Sequence, residues 1–253
     1  DVCSSDLRFW GDKLALNVSL YKTSTFNQLF NPSLPSSSGY SSIYINGGQV
    51  DNKGIEASLS LSQALGPVEW NSTLTYTINR NKIKKLLKPT TLKDGLLVEQ
   101  DMLDLDGVGN VKTRLFEGGS VGDLYVTALR TDEHGYIDVD YVNNTVSVDG
   151  NAGERGDGWI YAGNSQAKYT MGWRNSFSWK GLTFGFLINA RVGGVCVSMT
   201  QALMDSYGTS KATADARDAG GVMINGYLVP AAQKYYQTVG TGAGSMYVRS
   251  EEH

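Results

Sequence analysis

What most constrains this chain is a strict alternation of apolar and polar residues, sustained over runs too long for an ordinary soluble strand. In Lys13–Tyr21, Leu14, Leu16, Val18 and Leu20 share one face, with Lys13, Asn17 and Ser19 on the other. After Gly54, Ile55, Ala57, Leu59 and Leu61 alternate with Glu56, Ser58, Ser60 and Ser62. Val68, Trp70, Leu74, Tyr76 and Ile78 then alternate with Glu69, Asn71, Thr73, Thr75, Thr77 and Asn79. Tyr169, Met171, Trp173, Phe177 and Trp179 face away from Thr170, Gly172, Arg174, Ser176 and Ser178. Leu182, Phe184, Phe186, Ile188, Ala190 and Val192 oppose Thr183, Gly185, Asn189 and Arg191. A period of two puts successive side chains on opposite faces of a strand, and no helical period fits. Soluble strands average about 5 or 6 residues. A tilted strand crossing a hydrocarbon layer needs about 9 to 11, the length these runs reach.

Connections alternate between short and long. Tight turns are expected at Gly11-Asp12, at Ala64-Leu65-Gly66-Pro67 and at Lys180-Gly181. Long polar segments lie between them: Asn27–Gly48, Lys82–Gly122, Thr131–Ala167 and Gly193–Asn225. Short turns on one side and long loops on the other are the pattern of outer-membrane barrels. Weaker strand signals at Asp123–Arg130 and Thr145–Val148 suggest that parts of these segments extend the sheet above the membrane. The alanines 212, 214, 216 and 219 predict a short helix within Ser206–Gly220.

Composition agrees with β structure rich in turns: 30 Gly, 14 Tyr, only 5 Pro and 19% charged residues among 253. Mean hydropathy is -0.25, and no apolar run approaches the roughly 20 residues of a spanning helix. A barrel escapes that test, because only alternate residues meet lipid. Residues 1–7 (Asp1-Val2-Cys3-Ser4-Ser5-Asp6-Leu7) and 249–253 (Arg249-Ser250-Glu251-Glu252-His253) read as translations of opposite strands of a sequencing adapter. They are expected to be cloning or assembly scars, leaving residues 8–248 as the native segment, truncated at both ends. That segment carries equal numbers of acidic and basic residues, so charge supports neither nucleic-acid binding nor a polybasic anchor. Cys3 lies in the expected scar, and Cys196 alone cannot form an internal disulfide.

Trp70, Tyr76, Tyr169, Trp173, Trp179 and Tyr21 are placed on the apolar faces, several near strand ends, as in the aromatic girdles of membrane barrels. The rival architecture is a soluble secreted β-sandwich carrying a carbohydrate-binding function, in which the same side chains form a core between two sheets. A surface hydrolase domain is a weaker third option.

Several strings resemble the C-terminal half of the barrel of SusC/RagA-type TonB-linked transporters. The first is Leu14–Tyr21 continuing through Lys22-Thr23-Ser24-Thr25, then a Leu34-Pro35 loop ending at Ser38-Gly39. The second is Ile45-Asn46-Gly47-Gly48-Gln49-Val50-Asp51-Asn52-Lys53-Gly54-Ile55-Glu56, similar to the family's Asn-x-Gly-x-Val-x-Asn-x-Gly-hydrophobic-Glu stretch. Glu117-Gly118-Gly119-Ser120-Val121-Gly122-Asp123-Leu124-Tyr125 is the third. The fourth begins at Gly163-Asn164-Ser165, covers Tyr169–Phe177 and Trp179–Phe184, and ends at Arg191-Val192-Gly193-Gly194. In family order, these strings span nearly all of residues 8–248. In the second string Gly47, Gly48 and Gly54 are expected to supply positive φ or relief from crowding.

The resemblance implies an all-β fold: an antiparallel transmembrane β-barrel fragment with short periplasmic turns and long extracellular loops, polar residues facing the lumen, and about 8 to 10 strands. Trp179 and Leu182 would mark the periplasmic rim. It also implies a Gram-negative outer-membrane location, a SusD-like surface lipoprotein partner, contact with outer-membrane lipid, and import of oligosaccharides or peptides. Energy would come through a TonB complex contacting an N-terminal region outside this chain. No enzyme activity, cofactor or nucleic-acid partner is implied.

Other chemistry is sparse, and no catalytic, cofactor-binding or metal-binding residue is assigned. His134, in Thr131-Asp132-Glu133-His134-Gly135, reads as a solvated loop histidine, and without a second His or a Cys cluster zinc is not supported. Asp101, Asp104 and Asp106-Gly107, like Asp149-Gly150 and Asp157-Gly158, do not fit the twelve-residue calcium loop and read as loop carboxylates. Paired carboxylates for glycoside hydrolysis meet only in three dimensions, and no spacing here favours them. Gly118-Gly119-Ser120-Val121-Gly122 lacks the lysine of a phosphate loop and reads as a bend. The candidate ligand contacts are loop aromatics, Tyr40, Tyr44, Tyr136, Trp159 and Tyr161, with Asn164 and Gln166 nearby; ordinary loop packing is the competing account of each. Sequencing the source DNA across both junctions is expected to return adapter sequence, and native codons continuing past Leu7 or Arg249 would overturn the scar assignment.

Overall fold

Strands β1 (Val2–Phe9), β2 (Leu14–Phe30), β3 (Ile45–Leu65) and β4 (Val68–Lys85) follow one another as a meander. Short strands come next: β5 (Thr90–Thr91), β6 (Leu97–Val98), β7 (Met102–Asp104), β8 (Val111–Phe116), β9 (Asp123–Val126), β10 (Val139–Asp140), β11 (Thr145–Val146) and β12 (Ile160–Asn164). Long strands return as β13 (Tyr169–Trp179) and β14 (Leu182–Val192). The C-terminal part holds β15 (Val195–Val197), α1 (Met199–Ser206), α2 (Lys211–Asp218), β16 (Val222–Ile224), β17 (Tyr227–Val229), α3 (Ala232–Gly242) and β18 (Val248–Ser250). This is a computed structural model, which describes residues 2–30, 39, 44–86, 90–91, 97–98, 102–105 and 107–250. The Leu34-Pro35 loop, Ser38, Tyr40, Asp101 and Asp106 lie outside the described residues.

The long strands form one antiparallel sheet in the order β1-β2-β3-β4-β13-β14. All three expected tight turns are present. The last is a two-residue hairpin in which Lys180 and Gly181 both take positive φ, 44° and 87°, the geometry whose twist matches the flanking strands. The chain between β4 and β13 leaves the sheet and comes back, so β13 pairs with β4 in register from Thr170↔Thr77 to Trp179↔Val68.

Register turns the alternation of single strands into rows that cross the sheet. Leu7, Leu16, Leu59, Leu74, Trp173 and Ile188 are successive partners across all six strands. Parallel rows run through Val18, Ala57, Tyr76, Met171 and Ala190, and through Leu65, Val68, Trp179 and Leu182. The opposite face reads Asp6, Asn17, Ser58, Thr75, Gly172 and Asn189 across the same strands. No second layer of described residues covers the apolar rows: Leu182 is 69% exposed, Phe184 66% and Ile188 54%. The sandwich alternative required those side chains to be buried between sheets, and they are not.

The polar members of the apolar face are engaged by neighbouring aromatics. Trp70 Nε1 donates to Asn175 Oδ1 at 3.0 Å, and Trp173 Nε1 donates to Ser72 Oγ at 3.0 Å. Trp70 stacks with Phe177, 6.1 Å between ring centroids. Tyr21 corrects the sequence reading. It follows Leu20 by one residue and so falls on the polar face, opposite Gly54. A Cβ on Gly54 would sit 2.2 Å from the Tyr21 ring, so this glycine serves to relieve crowding.

Two further corrections concern fold class. The chain is mostly rather than wholly β, because α1 and α3 join the expected α2. The sheet is open, as a barrel fragment requires, with one hydrogen-bonded neighbour each for β1 and β14, but it holds six strands where about 8 to 10 were expected. Much of the remaining sequence builds a cap. Its four-stranded sheet, β12-β9-β8-β7, meets the polar face at the end away from the tight turns. There Val50 and Ile83 bury against Leu86, Leu103 and Leu115. The joint is stitched by Ile83 N to Gly119 O at 2.9 Å and Gly118 N to Ile83 O at 2.8 Å. Asn81 Oδ1 accepts from Ser120 Oγ and the Val121 amide.

A second core lies among the helices, where Ala202, Ile224, Val229, Tyr235, Val239, Ala243 and Tyr247 meet Leu129, Val139 and Val146. Buried Asp205 accepts from Tyr247 Oη at 2.9 Å and Gln201 Nε2 at 2.8 Å. Burial, reinforced by that carboxylate, holds the Tyr247 phenol well above the ordinary tyrosine range. Helices α1 and α3 pack backbone to backbone at Gly240, where a Cβ would lie 2.4 Å from the Ala202 carbonyl oxygen. Gly240→Ala is therefore expected to force the helices apart at a cost of about 1–3 kcal/mol. Hydrogen exchange should show faster exchange in α1 and α3 with β13 and β14 unchanged; unchanged helix protection would remove the close-approach argument.

Candidate functional site

The best-defined concavity among the described residues is a cleft of about 610 Å³ in the cap, between one face of the small sheet and the segment 153–161. Alternation selects its floor. On β8, Leu115 points into the core beneath, which leaves Lys112, Arg114 and Phe116 on the other face. Tyr125 of β9 stands beside Lys112, and Tyr161 of β12 stands beside Tyr125. The aromatic rings form a chain, with centroid distances of 5.6 Å for Phe116–Tyr125 and 5.5 Å for Tyr125–Tyr161.

Charge contacts tie the covering segment to this floor. Arg114 is buried, with Asp157 Oδ2 at 2.6 Å from its Nη2 and Asp104 Oδ1 at 2.9 Å from its Nε. The second contact is an ion pair without good hydrogen-bond alignment. Lys112 pairs with Asp104 as well and places its ammonium 3.9 Å from the centroid of the Trp159 ring. Arg155 sits over the Phe116 ring at 5.1 Å. At the far wall, Asp123 Oδ1 accepts from Asn164 Nδ2 at 2.9 Å and Tyr161 Oη at 3.3 Å, while Oδ2 accepts from the Ser120 amide.

The hydrogen bond from Arg114 holds the Asp157 carboxyl below its ordinary range. Burial, then the nearby Asp123 charge, pushes the Tyr125 and Tyr161 phenols up. Both tyrosines are therefore neutral near pH 7 and able to donate or accept hydrogen bonds. The cleft offers flat aromatic faces, a few fixed polar groups and balanced charge from Arg114, Arg155, Asp123 and Glu154. Such a surface can hold a neutral or zwitterionic ligand, and no nucleophile with an adjacent base is arranged in it.

Of the sequence-predicted contacts, the fold brings Trp159 and Tyr161 together here. Tyr44 and Tyr136 are exposed elsewhere. Asn164 is committed to Asp123, and Gln166 Oε1 accepts from Asn81 Nδ2 at 2.5 Å. Asp104 and Asp157, read as loop carboxylates, are instead the anchors of Arg114. His134 is exposed, with Glu133 at 3.9 Å, and Asp149 accepts from the Asn151 amide. Among the described residues no group of three His, Cys, Asp or Glu side chains could hold a metal ion. Sequence reasoning missed Arg114, Phe116 and Tyr125; the alternation of Val111–Phe116, with three large or charged residues on one face, was the available signal.

The low pKa of Asp157 sets the sign of a pH effect. Its ionised form stabilises the cap above the ordinary carboxylate range, near pH 4, and that stabilisation is lost as pH falls through the lower folded value. Acidification from pH 7 to 3 should lower the cap's denaturation midpoint, and Asp157→Asn should blunt this loss. Arg114→Met should cost about 2–3 kcal/mol, below the usual figure for a broken buried pair because both carboxylates are partly hydrated. Equal acid sensitivity in wild type and Asp157→Asn would remove the assigned role.

Comparison with known proteins finds several similar chains. Residues 6–96 match the family model described as "TonB dependent receptor-like, beta-barrel". The chain is 27% identical over 234 residues to TonB-dependent receptor P3 of Formosa agariphila, covering 85% of this chain and 22% of that protein. It is 28% identical over 192 residues to TonB-dependent receptor P26 of the same organism, covering 70% and 18%. A structure of the RagAB peptide transporter aligns with a TM-score of 0.59 at 18% identity, over 84% of this chain and 23% of that one. The RagAB peptide importer in its "closed-closed" state aligns with a TM-score of 0.62 at 16% identity, over 99% and 27%. The chain thus spans about a fifth of the length of the curated relatives, and at these identities the structural likeness concerns the fold.

Proposed function

We propose that this chain, a SusC/RagA-like piece of a TonB-dependent receptor β-barrel, works as part of an outer-membrane active transporter. The observation that carries the proposal is the uncovered apolar face of the six-stranded sheet, backed by a hydrophilic one. From Val68 to Ile78 the apolar rows extend roughly 34 Å at about 3.4 Å per residue. At a strand tilt of about 40° that is roughly 26 Å of height, close to the lipid-facing band of such barrels, about 25 Å. Tyr76 and Tyr169 lie at one end of the band and Trp70 and Trp179 at the other, the placement of interfacial girdles. The tight turns then face the periplasm, and the cap lies on the extracellular side above the lumen.

Within that frame the native part is residues 8–248, and the transported material is an oligosaccharide or a peptide. The related solved structures are described as a peptide transporter and a peptide importer. The aromatic cleft of the cap, with Trp159 and Tyr161 beside Tyr125, suits either class, since both sugar rings and peptide side chains pack on aromatic faces. A SusD-like lipoprotein covers the extracellular side, and energy arrives through TonB contacting a region outside this chain. Transport rather than catalysis is supported by Asp123, whose two oxygens are taken up by Asn164, Tyr161 and the Ser120 amide.

Two measurements test this. In the full-length receptor, Leu59→Arg on the apolar face should cost about 2–4 kcal/mol in a bilayer, while Ser58→Arg on the polar face should cost much less. Folded yield in the outer-membrane fraction, and unfolding from vesicles, should rank the two variants in that order; a reversed ranking would contradict the membrane reading. Uptake of labelled oligosaccharide or peptide by cells carrying the full-length gene should collapse on adding a protonophore. Uptake that persists would rule out active transport.

A further inference from the structure

Arg155 enters the aromatic cleft of the cap in a way that a ligand can copy. Its guanidinium lies over the Phe116 ring, 5.1 Å from the centroid, although the residue itself is exposed. Glu154 and Arg155 form the tip of a turn between Gly153 and Gly156, whose φ values are 86° and 65°. The Gly156 amide closes that turn on the Gly153 carbonyl at 3.1 Å. The side chain thus reaches the ring from the surface, unlike Arg114, which is buried. Of the charges here, Lys112 and Arg114 are matched by Asp104 and Asp157. Asp123 accepts from neutral donors, Asn164 Nδ2, Tyr161 Oη and the Ser120 amide. Among the described residues, neither Asp123 nor Glu154 has a cation within ion-pair distance. The Asp123 charge is felt at the Tyr125 and Tyr161 hydroxyls, where it adds to burial in raising both phenols. Arg155 therefore brings the cleft toward balance. With its side chain swung out, aromatic faces and two carboxylates remain, and both attract a cation.

We propose that this cleft binds the arginine or lysine side chain of a peptide, at the place over Phe116 that Arg155 now takes. The proposal rests on the transport reading above for the origin of its ligand, and narrows the class. Ring geometry favours a peptide over a saccharide. Linked sugars stack along a shared flat platform, but the Phe116 and Tyr125 rings are inclined by 56° and the Tyr125 and Tyr161 rings by 62°. Rings at such angles form separate notches, each fitted to one side chain. Charge disfavours an acidic ligand, which would meet Asp123 and Glu154. A basic side chain exchanges for Arg155 with the charge of the cleft conserved. The open space of about 610 Å³ leaves room for the neighbouring residues of the peptide. Arg155 is thus an internal competitor for the ligand.

The test uses the full-length receptor in detergent at low ionic strength. Its probes are capped alanine pentapeptides whose central residue is arginine, lysine, citrulline or glutamate, with maltohexaose as the saccharide. Citrulline keeps the shape of arginine and lacks its charge. The arginine and lysine peptides should bind wild type, and the citrulline peptide should bind roughly tenfold more weakly. The glutamate peptide and the saccharide should bind more weakly still. Phe116→Leu and Glu154→Gln should each weaken the arginine peptide by about twofold to fivefold. Arg155→Ser should strengthen it by a similar factor because the competitor is gone, a gain that misfolding cannot produce. Equal binding of the arginine and citrulline peptides, preference for the saccharide, or weaker arginine-peptide binding by Arg155→Ser would overturn the proposal. So would unchanged affinity in both Phe116→Leu and Glu154→Gln, which would put the binding elsewhere. Uptake by cells separates the two readings. Energy-dependent uptake of labelled peptide, without charge preference in binding, sinks only this proposal. Charge-selective binding with uptake indifferent to a protonophore sinks the transport reading and leaves the cleft assignment standing.

Discussion

The in-register antiparallel hydrogen-bond ladder is the constraint from which the rest of the structure follows. Because side chains alternate, fixing the register of one strand pair fixes which residues stand on each face of both. The ladder aligns the strands so that apolar residues meet apolar residues from Leu16 to Ile188. A slip of one residue would send every leucine to the polar face, and this cost makes the register strongly specified. The same ladder satisfies the backbone groups of the inner strands within the sheet itself.

The cap answers a different requirement. Strands β2, β3 and β4 are 17, 21 and 18 residues long, longer than the apolar rows, so their ends away from the tight turns find other partners. On the polar face those ends change character. Val50 and Ile83 become core residues under the small sheet, and Asn81 becomes a hub for the Ser120–Val121 turn. A second, helical core then forms around Tyr235, Val239 and Tyr247. The part of the sheet near the tight turns thus leaves its apolar face uncovered among the described residues, whereas the cap is stabilised by its own burial.

Charge in the cap is divided between an enclosed arginine and an exposed one. Arg114 is enclosed and serves as a clasp between a strand and a covering segment. Arg155 is exposed and lies over the Phe116 ring. The aromatic cleft is lined by both, with its floor set by strand alternation and its wall set by the clasp.

The sequence by itself determined the long strands, their tight turns and which residues share each face of the sheet, because alternation and turn chemistry are local and survive without tertiary information. The bounds of β13 and β14 coincide with the runs read from residues alone. Tyr21 was misplaced where parity along the strand should have overruled its aromatic character. Only the tertiary structure decided that β4 pairs with β13 across an excursion of the chain, since pairing between distant segments leaves no local trace. It also decided that Asp104 and Asp157 converge on Arg114, and that Trp159 and Tyr161 share a cleft with Phe116 and Tyr125. Helices α1 and α3 escaped detection for a related reason: they are short, and their stability comes from packing at Gly240 and around Tyr247 rather than from intrinsic propensity.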